Sequence, residues 1–408
     1  MPAAPTRRRP ELYALLARPR YPSFVLTVLL ARSGAAMFIV SGVLLVLART
    51  GSAPLAGVTA AAAVIPAALS GPMLGAWLEV VTRRRAWIVL DQLLSIAGLV
   101  AILLLAGHAP NWTVPAVAVV YSLTRPMSTG SFLSALAELS GPALLDLASA
   151  IEASSGNLSF IVGPALAGLL AGAAGPTVAI EAQIGITALV AVLVASNPAF
   201  EARPKERVES VAHALRQGSR ALIHNRVLSA TVIASSLAAF GWGMMAIGFP
   251  LYAARTLNSG THAGGYLWAA VGAGSIAGTF GLRAAASLRR IAAYYVILGL
   301  SALLWPLVHE LALGVALVGL TGFLEGPAYS DTIALRQRLT PPAVRAQVMT
   351  TIGGFTIVAA AAGSAAGGLV HEIWPLVIGF TAVNLIAAVS AARASRAAVG
   401  TSAPRALP

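Results

Sequence analysis

The sequence predicts an all-α membrane protein of twelve transmembrane helices, arranged as two six-helix pseudo-symmetric halves. Three observations carry that expectation. Twelve apolar stretches, each about long enough to cross a bilayer, fill the chain from Pro22 to Ala392. The positive charges between them fall almost entirely on one side, and the punctuation of the first six stretches returns in the second six.

A helix needs roughly 20 apolar residues to span about 30 Å of hydrocarbon. Only helices and closed barrels satisfy their backbone polar groups there. The stretches read as spans over 22–47, 55–78, 86–107, 113–135, 147–172, 177–196, 227–252, 262–282, 291–308, 311–334, 346–370 and 373–392. The first is long and has eleven successors, so it reads as an anchor and not a cleaved signal. Thr6-Arg7-Arg8-Arg9 ahead of it reads as a stop-transfer cluster and not as a twin-arginine signal.

Orientation follows from Lys and Arg. With both termini cytoplasmic, 23 of the 27 basic residues lie inside. They cluster before the first span, between spans 2 and 3 (Arg83, Arg84, Arg85), between spans 6 and 7, and in the later cytoplasmic loops and C-terminus. Only Arg49 and Arg255 lie outside, while Arg32 and Arg125 fall within spans. That is a strong positive-inside pattern and places the protein in the cell inner membrane. The net charge of +13 would suggest nucleic acid in a soluble protein. Here the loops that carry it face anionic headgroups, so membrane lipids are the expected partner and nucleic acid is not. The absence of cysteine excludes disulfides, thiol catalysis and thiolate metal sites.

Ala48-Arg49-Thr50 after span 1 recurs as Ala254-Arg255-Thr256 after span 7, an offset of 206 that also carries Gly75 onto Gly281 and Arg84 onto Arg290. Later in each half, Gly163-x4-Gly168 is echoed by Gly363-x4-Gly368. Parallel repeats of this kind underlie many secondary transporters. The chain therefore divides into a cytoplasmic tail (1–21), a first half (22–196), a linker (197–226), a second half (227–392) and a C-terminal tail (393–408). In the linker, Val208, Val211, Leu215 and Leu222 fall at helical spacing with charges between them, so a short amphipathic surface helix is expected to tether the halves.

Between spans 2 and 3, Gly75, Glu79, Arg83, Arg84 and Arg85 resemble the loop signature of the major facilitator superfamily. Glu79 stands where Asp is usual, and Val80 and Thr82 replace an Arg and a second Gly. The resemblance implies a gating clasp between the halves, held by charge-assisted hydrogen bonds; the plainer alternative is a positive-inside anchor. In span 5, Gly156, Gly163, Pro164 and Gly168 look like the Gly-Pro motif of the superfamily's exporters. Physically, small residues allow close helix approach; a generic Gly/Ala packing face remains the alternative. Leu147-Ala148-Ser149-Ala150 and the segment Pro341–Met349 are similar to a bacterial branch containing siderophore and macrolide exporters.

An ionisable residue at bilayer depth is a functional candidate. At about 1.5 Å per residue, Arg32 lies about 15 Å into span 1, Arg125 about 18 Å into span 4 and Glu325 about 21 Å into span 10. Asp91, Glu152 and Glu181 sit near a membrane face, where they can snorkel, and Asp331 lies where Arg336 or Arg338 can neutralise it. Spans 1, 4, 7 and 10 line the central cavity in the superfamily, so the resemblance directs Arg32, Arg125 and Glu325 toward the transport path. It also places Arg125 roughly at the family's helix 4 arginine linked to proton transfer, although Gly130 follows at five residues instead of four. A locked Arg125–Glu325 pair is the structural alternative.

A carboxylate can gain and lose a proton, whereas arginine stays charged. Glu325 is thus the leading proton-coupling candidate, followed by Asp331 and Asp91. Arg32, Arg125, Tyr121, Trp242, Met245 and Tyr329 are the cavity candidates. Two deep arginines against one deep glutamate suit an anionic or neutral polyfunctional substrate. No Walker loop, metal-spaced cluster or nucleophile motif occurs, so neither an enzyme nor a cofactor is expected. The reading is a proton-coupled exporter of a drug, siderophore or secondary metabolite, functional as a monomer. An importer of the same fold and a non-transporting sensor or scaffold are the alternatives.

Overall fold

A backbone surrounded by hydrocarbon has no water to bond, and helices satisfy it from within. The computed structural model describes residues 8–70, 74, 83–201, 225–282, 286–340 and 345–400, and among them there is no strand. The first half contains α1 (Arg8–Leu16), α2 (Tyr21–Thr50), α3 (Ala53–Ala62, with residues 65–70 helical beyond it), α4 (Arg84–Leu105), α5 (Thr113–Leu123), α6 (Pro126–Ala174) and α7 (Pro176–Ser196). The second contains α8 (Arg226–Arg255), α9 (Gly264–Gly281), α10 (Leu288–Ala302), α11 (Leu311–Leu339), α12 (Arg345–Gly368) and α13 (Ile373–Gly400). Eight helices among the described residues are long and apolar enough to cross a membrane. Side-chain caps start several of them: Ser52 accepts from the Leu55 amide, Asn225 from Val227 and Leu228, and Ser287 from Arg290.

Three boundaries differ from the sequence expectation. The tail before span 1 forms α1, whose Leu15 is fully buried against the first half. Spans 4 and 5 are not separated by a loop. Instead α6 runs for 49 residues, about 74 Å if straight, and doubles back at Gly141, where φ is 62° and ψ 167°. Only glycine takes that conformation without strain. Arg18 donates to the Leu139 carbonyl (2.8 Å), next to this break. At the other end, α13 stays helical to Gly400, eight residues beyond the predicted span. Gly75, Glu79, most of the linker and residues 341–344 lie outside the described residues.

The same helix pairings recur in both halves. The first long helix packs on the fifth and sixth crossings (α2 on α6 and α7; α8 on α12 and α13), and the third on the sixth (α4 on α7; α10 on α13). The halves then meet along two related seams, α6 against α9 and α12 against α3. The repeated glycines explain these contacts. Gly163 faces the Ser33 carbonyl and Ala36 of α2, and Gly363 faces the Phe240 carbonyl of α8. Five residues on, Gly168 lies against Gly265 of α9, and Gly368 lies against Ala53 and Pro54 beside α3. Each motif therefore joins its own half with its first glycine and the opposite half with its second. Gly57 tightens the α3–α12 seam: a β-carbon there would sit 2.5 Å from the Ser364 carbonyl.

These contacts lie toward the face opposite the chain termini. A Gly168→Leu or Gly265→Leu side chain would meet backbone with nowhere to move, at a cost of about 1–3 kcal/mol. The thermal midpoint of the purified protein should fall accordingly. Gly185→Ala, where a β-carbon within the α7 helix meets nothing within 4 Å, should not lower it and, by removing a helix-interior glycine, should raise it slightly.

Candidate functional site

In the first half, polar side chains from five helices interlock inside the bundle. Helix α5 ends at Leu123, and Thr124 and Arg125 form a turn before Pro126 opens α6. The turn projects Arg125 back along α5, where Nη1 donates to Tyr121 Oη (2.7 Å) and the guanidinium carbon lies 5.1 Å from the Tyr121 ring centroid. Tyr121 Oη also accepts from Gln183 Nε2 of α7 (3.3 Å), and Gln183 Oε1 accepts from Ser41 Oγ of α2 (3.0 Å). Deeper toward the termini, Asp91 Oδ2 of α4 accepts from Gln92 Nε2 (3.1 Å) and from Ser128 Oγ, while Gln92 Nε2 also reaches Ser128 Oγ (2.9 Å).

Asp91 is 1 % exposed, so it does not snorkel to a membrane face as its sequence position suggested. Its helix turns it inward, where neutral donors and the charge of Arg125 stabilise it. The expected cavity residues Tyr121 and Arg125 are thus joined with Asp91 in one network. Gln92, Gln183, Ser41 and Ser128 escaped the sequence reading. Two glutamines inside otherwise apolar spans were the available signal, since such groups must find partners away from water.

The second half is built differently. Trp242 of α8 sits in an aromatic cluster, with ring centroids 5.9 Å from Trp268, 5.1 Å from Phe380 and 6.3 Å from Phe249. Glu325 of α11 lies beside its indole. Glu325 Oε2, Trp242 Nε1 and Trp268 Nε1 are all buried atoms without a hydrogen-bond partner. No ion pair joins Glu325 to Arg125 among the described residues. Tyr329, one turn along α11, and Tyr295 of α10 complete the surroundings of Glu325.

The remaining candidates fall in different environments. Met245 is fully buried in the hydrophobic core. Asp331 pairs with Arg290 (Nε to Oδ2, 3.5 Å), and the charge of Arg338, as expected, also reaches it. Arg336 is turned toward α8, donating to Thr231 Oγ1 (3.2 Å), the Thr231 carbonyl (2.7 Å) and Ser235 Oγ. Helical phase decides this, because residues five apart do not share a face. Of the gating-loop arginines, Arg84 is buried and donates to the carbonyls of Glu201 (2.5 Å) and Phe200 (3.5 Å), and Arg85 pairs with the Glu201 carboxylate (3.1 Å). They hold the start of the linker, while Arg83 is exposed at the N-terminus of α4. Arg32 is partly buried on α2, and Gly156 and Pro164 lie within α6.

Two repeated half-bundles, joined by glycine seams around buried polar groups, define a multi-pass membrane transporter. The chain belongs to the Major Facilitator Superfamily, whose family model matches residues 24–308. It is 30% identical over 360 residues to the uncharacterized MFS-type transporter y4rN of Sinorhizobium fredii (strain NBRC 101917 / NGR234), covering 84% of this chain and 87% of that one. Among solved structures, a mutant form of the nucleoside transporter NupG matches with a TM-score of 0.67 at 13% identity, covering 93% of this chain and 99% of that one. An inward-facing, unoccupied bacterial homolog of the human lysosomal transporter Spinster also gives 0.67, at 12% identity, covering 97% and 99%. At those identities the structures share the fold.

Tyr121 is the shared acceptor of the first-half network. Tyr121→Phe would strand the Gln183 and Arg125 donors, a loss of about 1–3 kcal/mol. Thermal unfolding in detergent should show the drop; an unchanged midpoint would mean the network contributes nothing to stability.

Proposed function

We propose that this transporter exports a small organic molecule, such as a drug, siderophore or other secondary metabolite, by proton antiport and alternating access. In this reading it lies in the cell inner membrane with both termini cytoplasmic and acts as a monomer. The observation that carries the reading is Glu325. It is a mid-membrane carboxylate that forms no ion pair among the described residues, with the Trp242 indole as the donor beside it. An intramembrane carboxylate without an ion-pair partner can take up and release a proton. The other two acids are less available, since Asp331 is paired with Arg290 and Asp91 is held by Ser128 and Gln92.

Export is supported by the Gly163-Pro164 segment, whose glycines close the seams on the face opposite the termini. Releasing those contacts opens the path to the outside, while the opposite movement opens it to the cytoplasm. The arginines after span 2 contribute to gating by fixing the linker that carries one half relative to the other.

Reconstituted into liposomes with an imposed pH gradient, the protein should move protons in response to substrate, as read by an enclosed pH dye. Glu325→Gln should abolish that flux while leaving gradient-independent substrate exchange in place. Equal flux in wild type and variant would remove Glu325 from the coupling step. Substrate accumulation down the proton gradient, in the same direction as protons, would reverse the assigned direction.

A further inference from the structure

A cavity of about 190 Å³ opens where the ends of α9 and α11 meet the residue before the Ser287 cap of α10, on the face that carries the chain termini. Drug-sized ligands need about 300–1,000 Å³, so this space suits a smaller group, on the scale of a lipid headgroup. Its polar lining is Thr279 of α9 with Ser330, Asp331 and Arg338 of α11, and Leu282 and Pro327 form an apolar part. Asp331 is 7 % exposed, and its Oδ2 accepts no hydrogen bond among the described residues. The contact it has is the 3.5 Å ion pair with Arg290. Arg290 is also committed elsewhere, donating to the Leu282 carbonyl (2.9 Å) and to Tyr294 Oη (2.8 Å). A buried acceptor in that state asks for a donor. Thr279 Oγ1 donates to the Ser275 carbonyl (2.8 Å) and lies 3.5 Å from Ser330 Oγ, which puts two hydroxyls side by side on one wall.

Charge narrows the ligand further. Arg338 is exposed, and no acid forms an ion pair with it among the described residues. Arg290 and Arg338 against Asp331 leave a surplus of one positive charge. The 15-residue helix α10 begins just past the lining residue Ala286, and its first amides add positive potential. The complement is one negative charge with hydroxyl groups beside it. A phosphodiester suits the Arg338 guanidinium, and hydroxyls can donate to Asp331 while exchanging hydrogen bonds with Ser330 and Thr279. A headgroup with an ammonium in place of the hydroxyls is neutral overall and leaves the surplus uncompensated. Acyl chains also have a track. Ile276 and Phe280 (36 % and 63 % exposed) stand four residues apart on α9, on the side of the helix that includes Thr279.

We propose that this cavity binds the headgroup of a glycerophospholipid with one negative charge and free hydroxyls, as in phosphatidylglycerol. The phosphate lies against Arg338, the headgroup glycerol reaches Asp331, Ser330 and Thr279, and the chains follow Ile276 and Phe280. Basic pockets between membrane helices are suited to anionic headgroups; here a buried carboxylate and two hydroxyls add selectivity for a polyol. Assigning the lipid to the inner leaflet rests on the orientation proposed above. The site itself does not depend on export, direction or proton coupling. When occupied, it ties the end of α9 to α11 beside the Arg290–Asp331 pair.

The test titrates delipidated full-length protein, in a neutral detergent, with dioctanoyl phosphatidylglycerol, dioctanoyl phosphatidylethanolamine and soluble glycerophosphoglycerol. Native mass spectrometry counts the molecules retained. One phosphatidylglycerol should be retained about tenfold more tightly than phosphatidylethanolamine. Arg338→Gln should bring the two lipids level, and Arg338→Lys should lose less. The double variant Thr279→Val with Ser330→Ala should weaken phosphatidylglycerol several-fold and leave phosphatidylethanolamine unchanged. Arg393→Gln, which removes an exposed arginine of α13, should change neither, and thermal midpoints confirm that each variant is folded. Preference for phosphatidylethanolamine, retention indifferent to Arg338→Gln, or an equal loss with Arg393→Gln would overturn the site. So would no retention of any of the three. Glycerophosphoglycerol binding as tightly as the lipid would overturn the membrane source and leave a soluble glycerophosphate ester as the occupant. None of these outcomes bears on proton flux in liposomes, so the export reading stands or falls separately.

Discussion

The close approach of glycine to backbone along two seams is the contact on which the rest of the architecture depends. In lipid there is no hydrophobic force to drive one apolar helix onto another, so association relies on how near two backbones can come. Gly168 against Gly265 and Gly57 against Ser364 supply that proximity at pseudo-equivalent places. Such seams are held by many weak dispersion contacts. They hold the two halves together without a strong directional bond. The first glycine of each motif, Gly163 or Gly363, ties the seam helix to the long first helix of its own half. A movement at the seam is thereby passed to a rigid unit.

The two halves handle buried charge in opposite ways. The first surrounds Asp91 and Arg125 with neutral donors and acceptors from α2, α4, α5, α6 and α7, forming a connected network whose members fix one another. The second leaves Glu325 facing indoles that also lack partners.

Much of the architecture was legible in the sequence because the solvent is so restrictive. Span length, one-sided arginines and the 206-residue echo each follow from crossing a thin apolar layer an even number of times. The boundaries that were missed have local causes. The turn between spans 4 and 5 is a single glycine in a left-handed conformation, and hydropathy does not register one residue. α1 is too short and too charged to resemble a span, and its place is set by Leu15 and Arg18 meeting the first half.

By itself, the sequence determined the medium, the number of crossings, the repeat and the identities of the deep ionisable residues, because these depend on composition and one-dimensional spacing. Only the tertiary structure decided which of those residues are neutralised. Burial turned Asp91 inward, helical phase sent Arg336 to α8 and left Asp331 to Arg290, and a broken helix tied Arg125 to Tyr121. Net charge along a chain is a sum, whereas the field at a site depends on which charges already have partners. That is why a chain with 27 basic and 14 acidic residues holds at its centre a carboxylate with no ion pair among the described residues.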